Sequence, residues 1–151
     1  MRMELISPLL NLLPKEQLDT VLNQDYCELD NVFLGFVEIY EHLSQIIPTH
    51  FEVIDLGCYL APQGYYFRNH KKYVGVDVTE LKRFEFGNTE HHVKTIQDFI
   101  RCDLRIYELE KTFAICSYVP DENAKSLIRK TFKNLFIYYP CSENVFMEFM
   151  K

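Results

Sequence analysis

Phe51-Glu-Val-Ile-Asp-Leu-Gly57 and, further along the chain, Tyr73-Val-Gly-Val-Asp77 are two short apolar runs that end in a turn residue or a carboxylate. Short apolar runs bounded by such residues are typical of buried strands. The segment Pro62–Asn69 between them is predicted to be helical. The two stretches therefore predict a strand–turn–helix–strand unit whose turn can approach a nucleotide and whose second acid can hold a ribose.

Short apolar runs that alternate with polar helical stretches continue to the end of the chain. Near-continuous apolar strands that alternate with helices predict a parallel sheet covered on both faces, and right-handed crossovers make a doubly wound α/β sheet the expected fold. Residues 144–150 partly alternate between apolar and polar, which predicts an antiparallel edge strand and a reduced C-terminal hairpin. The further strands are predicted at Glu90–Thr95, Thr112–Tyr118 and Leu135–Tyr139, and the further helices at Glu80–Phe84, Ile96–Leu104 and Glu122–Phe132.

The first third of the chain has a helical pattern instead. One helix is predicted after Pro14, and a second begins near Asp30, a good N-cap, and ends before Pro48. No flexible linker separates this part from the rest. We therefore expect residues 1–151 to form a single domain, with an N-terminal helical cover at 1–49 and an α/β core at 50–151.

Composition narrows the classes of function. The 151 residues are 48% hydrophobic and 25% charged, as expected for one soluble globular domain. A net charge of −6 offers no overall basic field for nucleic acid, although a local patch remains open. The sequence contains no run of about twenty apolar residues, so no membrane span is predicted. Pro8, Asn11 and Pro14 interrupt the Leu-rich N-terminus, so we expect no secretion signal and a cytoplasmic location.

Metal-site patterns are weak in this sequence. The five cysteines are scattered and form no CxxC pair, which predicts reduced thiols rather than a zinc site or a disulfide framework. His91 and His92 are adjacent, so on a strand they face opposite sides and do not chelate one ion together. We therefore predict no metal site.

In a doubly wound sheet, ligands bind beyond the carboxyl ends of the strands, where the winding reverses. Gly57 lets the backbone approach a ligand closely, and Asp77 can accept hydrogen bonds from two ribose hydroxyls. The dinucleotide fingerprint GxGxxG is absent because Tyr59 and Pro62 replace its second and third glycines. An ordinary strand-to-helix turn at Gly57 and a helix-capping role for Asp77 remain as alternatives.

Val53-Ile-Asp-Leu-Gly-Cys58 with Val74-Gly-Val-Asp77 resembles the first two motifs of class I S-adenosylmethionine-dependent methyltransferases, over about residues 51–140. The resemblance implies S-adenosylmethionine as cofactor. It also implies that Asp55 and Gly57 shape the methionine pocket, and that Asp77 holds the ribose. Thr95 falls at the family's adenine-contact position, which leaves Asp98 as the expected helix cap. The implied cofactor-binding residues are Asp55, Gly57, Cys58, Tyr59, Asp77, Val78, Thr95, Ile96 and Ser117.

The sequence departs from the family pattern acid-x-Gly-x-Gly-x-Gly, because Tyr59 and Ala61 replace the second and third glycines. With a tyrosine at this place, either the loop moves, the ring packs elsewhere, or the pocket is partly closed. No residue is assigned a catalytic role. Asp121 and Glu122 are the best-placed acids for a general base, and a helix start explains them equally well.

Two interpretations of the function remain open. In the first, the chain is a small methyltransferase that acts on an unidentified acceptor. In the second, it is a non-catalytic methyltransferase-like domain that binds a protein partner, or a second copy of itself, through the truncated edge of the sheet. A pocket blocked by Tyr59 would favour the second interpretation, and an open pocket faced by Asp77 would favour the first.

Overall fold

The fold is that of a computed structural model, which describes residues 40–41, 43–116, 121–138 and 145–149. Its centre is a six-stranded sheet in the order β3-β2-β1-β4-β5-β6. The first five strands are mutually parallel, and β6 is antiparallel to β5, as predicted. The strands are β1 (Glu52–Leu56), β2 (Lys72–Asp77), β3 (Thr89–Val93), β4 (Thr112–Cys116), β5 (Asn134–Tyr138) and β6 (Val145–Phe149).

Two α-helices connect these strands, α1 (Ile96–Cys102) and α2 (Glu122–Thr131). Each begins at a side-chain cap, Thr95 for α1 and Asp121 for α2, which accepts a backbone N–H of the first turn. Three 3-10 helices, at Pro62–Phe67, Leu104–Ile106 and Leu109–Lys111, complete the connections. In the part of the chain that is described, no helix has the length and apolarity needed to span a membrane.

Helical backbone at residues 40–41 and 43–46 confirms the end of the predicted second N-terminal helix. The predicted helix after Pro14 lies outside the described residues, as does the start of the second one. What is described of the N-terminal part packs directly on the sheet, through Tyr40, Leu43 and Ile47.

The core lies on both faces of the sheet because successive strand residues point to opposite sides. One face packs against Phe99 of α1 and Ile128 of α2, through Ile54, Leu56, Val74, Val76, Ala114, Cys116, Leu135 and Ile137. The opposite face packs against the N-terminal helical residues and Phe67, through Val53, Tyr73, Phe113, Ile115 and Phe136. Coverage of both faces confirms the doubly wound arrangement, and the winding reverses between β1 and β4.

The connection from β2 to β3 corrects one prediction. Residues 78–88 contain no helix, whereas Glu80–Phe84 was predicted to be helical. The Phe84 N–H donates to the Leu60 carbonyl, and the Phe84 carbonyl bonds to His91 Nε2, so neighbouring segments take the groups that a helix would use. Gly87 then turns the chain at a φ of 64°. Tertiary contacts therefore override the local polar pattern here.

Gly75 of β2 shows how closely the segments approach one another. It lies in register between Asp55 of β1 and His91 of β3. A Cβ added at Gly75 would stand 2.8 Å from His91 Nδ1 and 2.9 Å from Cys58 Sγ. Both distances are shorter than van der Waals contact, so only glycine fits at this point of the strand.

We expect Gly75→Ala to lower the free energy of unfolding by about 1–3 kcal/mol, as overpacking of a closed core does. Urea denaturation of the two proteins measures the loss. Gly64→Ala is the matched control, because its added Cβ would stand 3.1 Å from the Tyr73 ring, where less movement is needed. An equal or smaller loss at Gly75 than at Gly64 would contradict the close approach.

Candidate functional site

The loop after β1 has an alternating left-handed backbone. Gly57, Tyr59 and Ala61 have φ angles of 81°, 52° and 59°. The loop therefore has a left-handed backbone at a glycine and at two residues that carry side chains. An L-residue in this region costs about 1–2 kcal/mol, and strain of this kind is concentrated at functional sites.

Hydrogen bonds hold this loop against the end of β2. The N–H groups of Gly57 and Cys58 both donate to the Val76 carbonyl, at 2.8 and 3.2 Å. The Tyr59 N–H donates to Asp77 Oδ2 at 3.0 Å, and the Thr79 N–H donates to Asp77 Oδ1 at 2.9 Å. The structure therefore brings together the two motifs that the sequence singled out, and two backbone amides fix the orientation of the Asp77 carboxylate.

The Tyr59 ring packs into a small apolar cluster. Leu60 and Phe84 form the centre of this cluster, and Tyr59, Tyr65 and Phe86 pack against them while partly exposed. Of the three alternatives for a tyrosine in this loop, the structure shows the second, in which the ring packs against neighbouring side chains. The Leu60–Phe84 backbone hydrogen bond of 2.9 Å joins the loop to the β2–β3 connection at the same place.

Asp55 of β1 is completely buried and is hydrogen-bonded to the loop that follows the strand. Its carboxylate accepts hydrogen bonds from the Tyr40 hydroxyl at 2.9 Å, the Gln63 amide at 2.8 Å and the Tyr73 hydroxyl. Burial raises the pKa of Asp55 to about 6, against these three hydrogen bonds, which lower it. Gln63 also donates to the Cys58 carbonyl at 3.1 Å, so Asp55 acts on the shape of the loop through Gln63.

The predicted adenine side lies at the same edge of the sheet. Val78 follows Asp77 directly and is 65% exposed. The Lys94 N–H donates to the Asp77 carbonyl at 3.0 Å, which brings Thr95 close to the end of β2. Ile96, the first residue of α1, packs partly buried on the core.

The helix cap of α1 corrects a second prediction. Thr95, not Asp98, is the cap, because the Thr95 hydroxyl accepts the Asp98 N–H at 3.1 Å. Asp98 lies exposed in the first turn, where its charge faces the positive end of the helix. An N-cap accepts from the amide two or three residues further on, so the hydroxyl residue at the strand-to-helix junction takes this role.

Beyond β4 the described residues offer less chemistry. Cys116 is buried, and burial raises its pKa to about 12, which confirms a packing role for this thiol. Asp121 is exposed and caps α2 by accepting the Asn123 N–H at 2.9 Å, so the helix start explains it. Ser117, the remaining predicted cofactor residue, lies outside the described residues.

Two residues of this site, Gln63 and Arg83, were not predicted from the sequence. Gln63 joins Asp55 to the loop, and Arg83 binds backbone carbonyls at the ends of β2 and β3. Neither has a recognisable sequence signal, because an isolated Gln after a proline and an Arg in a charged segment both resemble solvent-exposed residues.

No protein-family model matches this sequence, and no curated protein matches it. Among solved structures, the fold is similar to a crystal structure from Streptococcus mutans that is described as "a putative methyltransferase" in complex with SAH. The two share 19% sequence identity over 67% of this chain and 70% of the other, with a TM-score of 0.49. The similarity is weak, so the function proposed below depends on the residues of this chain.

We expect Tyr59→Gly to be more stable than Tyr59→Ala, by about 0.5–1 kcal/mol. Both changes remove the ring, and only glycine relieves the left-handed strain, which outweighs its larger entropy loss on folding. Tyr65 has no positive φ, so Tyr65→Ala should be the more stable member of the matched control pair. Thermal and urea unfolding measure the stability of Tyr59→Gly and Tyr59→Ala, and of the control pair Tyr65→Gly and Tyr65→Ala. The same order of stability at both positions would contradict the strained loop.

The buried Asp55 predicts a pH dependence of stability. Its folded pKa of about 6 lies above its ordinary value of 3.8, so its contribution is fully present below about pH 3.8 and is lost as the pH rises through about 6. The difference between the two pKa values corresponds to about 3 kcal/mol. We expect the free energy of unfolding of the wild type, relative to Asp55→Asn, to fall by about 2–2.5 kcal/mol between pH 4 and pH 7, since a small part is already lost at pH 4. A flat or rising difference would show that the carboxylate is ionised throughout.

Proposed function

We propose that this protein binds S-adenosylmethionine at the carboxyl ends of β1, β2 and β3, and that it is a small methyltransferase with an unidentified acceptor. One observation carries the proposal. The backbone at Gly57, Tyr59 and Ala61 keeps the left-handed pattern of a glycine-rich loop, and the Tyr59 N–H joins that loop to the Asp77 carboxylate. Strained residues of this kind cluster at functional sites, which supports a role for the loop beyond turning the chain.

The residues present suit an adenosyl ligand. The Asp77 oxygens each accept one backbone N–H, and a carboxylate has about four lone-pair sites, so two remain for a pair of vicinal ribose hydroxyls. Beside the carboxylate, Val78 exposes an apolar side chain of the kind that packs against a base. Thr95 and Ile96 follow β3 at the same edge and are proposed to lie against the adenine.

Methyl transfer makes modest demands on protein side chains. When bound, the sulfonium group supplies an activated methyl group, so the protein contributes mainly by holding the acceptor close and in line. The exposed helix-capping role of Asp121 is therefore compatible with activity. Asp55 and Gln63 contribute by fixing the loop, since their hydrogen bonds join the sheet to the Cys58 carbonyl.

Thermal unfolding with S-adenosylhomocysteine (SAH) tests the proposal, with NAD as the control ligand. At about a hundred times its dissociation constant, a ligand stabilises by about 2.7 kcal/mol, which corresponds to roughly 5–10 °C for a domain of this size. We expect a rise of this size with SAH. Asp77→Asn should reduce the rise strongly, while leaving weak binding that calorimetry can measure, because it replaces the charged acceptor of the ribose hydroxyls with a neutral amide. Glu80→Gln, an exposed residue in the same connection, removes the same charge and should retain the rise.

Two outcomes would count against the proposal. No shift with millimolar SAH would leave a methyltransferase-like fold that binds no cofactor, and the interaction-module interpretation would then take its place. An equal shift with NAD would indicate a general nucleotide site. If SAH binds selectively, the next measurement is methyl transfer to pooled small-molecule, protein and nucleic-acid acceptors.

A further inference from the structure

Arg83 is an unusual residue for the place it occupies. It lies in the irregular β2–β3 connection, yet its side chain is nearly completely buried. Its guanidinium lies within hydrogen-bond distance of four backbone carbonyls, and the two Nη2 hydrogens are shared among three of them. Nη1 donates to Gly75 at 3.1 Å, and Nη2 donates to Asp77 at 2.9 Å, Thr79 at 3.2 Å and His92 at 3.1 Å.

Such an arrangement needs a reason, because a buried cation is costly when no carboxylate pairs with it. In the part of the chain that is described, no ion pair of Arg83 occurs, and its hydrogen-bond partners are carbonyl dipoles at the ends of β2 and β3. The planar fork of arginine suits several acceptors held in fixed positions, which a lysine ammonium on its flexible stem does not. Arg83 therefore fixes the relative positions of these carbonyl groups, which the irregular β2–β3 connection does not fix by itself.

The carbonyl groups that Arg83 binds belong in part to the turn that orients the Asp77 carboxylate. The Thr79 N–H donates to Asp77 Oδ1, and Arg83 binds the carbonyls of both Asp77 and Thr79. The guanidinium thus clamps the short turn on which the carboxylate depends, at both of its ends. Residues 78–88, which follow β2, contain no helix to fix this turn, and Arg83 supplies the constraint instead.

We propose that Arg83 is a positioning residue that aims the Asp77 carboxylate at the vicinal hydroxyls of an adenosyl ligand; this rests on the proposed function. Arg83 acts through Asp77 and does not touch the ligand. The loss of Arg83 should therefore loosen the Asp77 turn first and weaken ligand binding only as a consequence.

Hydrogen exchange of the free protein tests the first step. In Arg83→Gln, the amides of Tyr59 and Thr79, which Asp77 binds, should exchange about tenfold faster than in the wild type. Amides of β4 should keep their protection. The control Lys82→Gln removes the same charge from the neighbouring exposed residue and should leave both amides unchanged. If Arg83→Gln does not fold, Arg83→Lys, which keeps the charge and lacks the fork, takes its place.

A double-mutant cycle on SAH affinity, measured by calorimetry, tests the second step. Arg83→Gln should weaken binding about tenfold in the wild type and should have little further effect in Asp77→Asn. Equal losses in both backgrounds, or unchanged Tyr59 and Thr79 exchange, would overturn the positioning role. Failure of the wild type to bind SAH would instead reject the proposed function, and the exchange measurement would still decide whether Arg83 fixes Asp77.

Discussion

The buried carboxylate of Asp55 sets the arrangement of the elements around it. A carboxylate that is fully removed from water requires donors, and here they come from the N-terminal helix through Tyr40, from β2 through Tyr73 and from the loop through Gln63. One side chain therefore joins four parts of the chain. This explains why residues 40–41 and 43–47, the described end of the N-terminal helix, pack on the sheet, and why the loop after β1 has a defined shape.

The sequence predicted β1 and β2 well because these strands are buried on both faces and are recognised from apolar runs alone. Glu52–Leu56 and Lys72–Asp77 each lie within one residue of the predicted bounds, and the edge strand at Val145–Phe149 was expected. The residues 80–84 were misassigned because their polar pattern suits a helix, while the acceptor for the Phe84 N–H is Leu60, distant in sequence. Contacts of this kind carry no local signal.

Only part of the candidate site was predicted, because only some of its residues have a local sequence signal. Gly57 and Asp77 were found because a glycine and an acid at strand ends have a direct physical meaning. Arg83 and Gln63 were missed because their importance comes from the carbonyls and the carboxylate that they meet in the fold. Asp98 was expected to cap α1, whereas the preceding hydroxyl of Thr95 was already in position to do so.

A left-handed backbone is usually found at glycine, and in this loop it occurs at Tyr59 and Ala61 as well as at Gly57. The left-handed conformation at Tyr59 and Ala61 costs about 2–4 kcal/mol in total, a large fraction of the roughly 5–15 kcal/mol that stabilises a domain. Packing of the Tyr59 ring on Leu60 and Phe84 offsets part of this cost, and the Tyr59 N–H bond to Asp77 offsets more. That bond also directs the carboxylate, so the contact that stabilises the strained loop is the one that shapes the proposed ribose site. A tyrosine and an alanine at positions 59 and 61 are therefore compatible with a left-handed loop that donates a backbone hydrogen bond to Asp77.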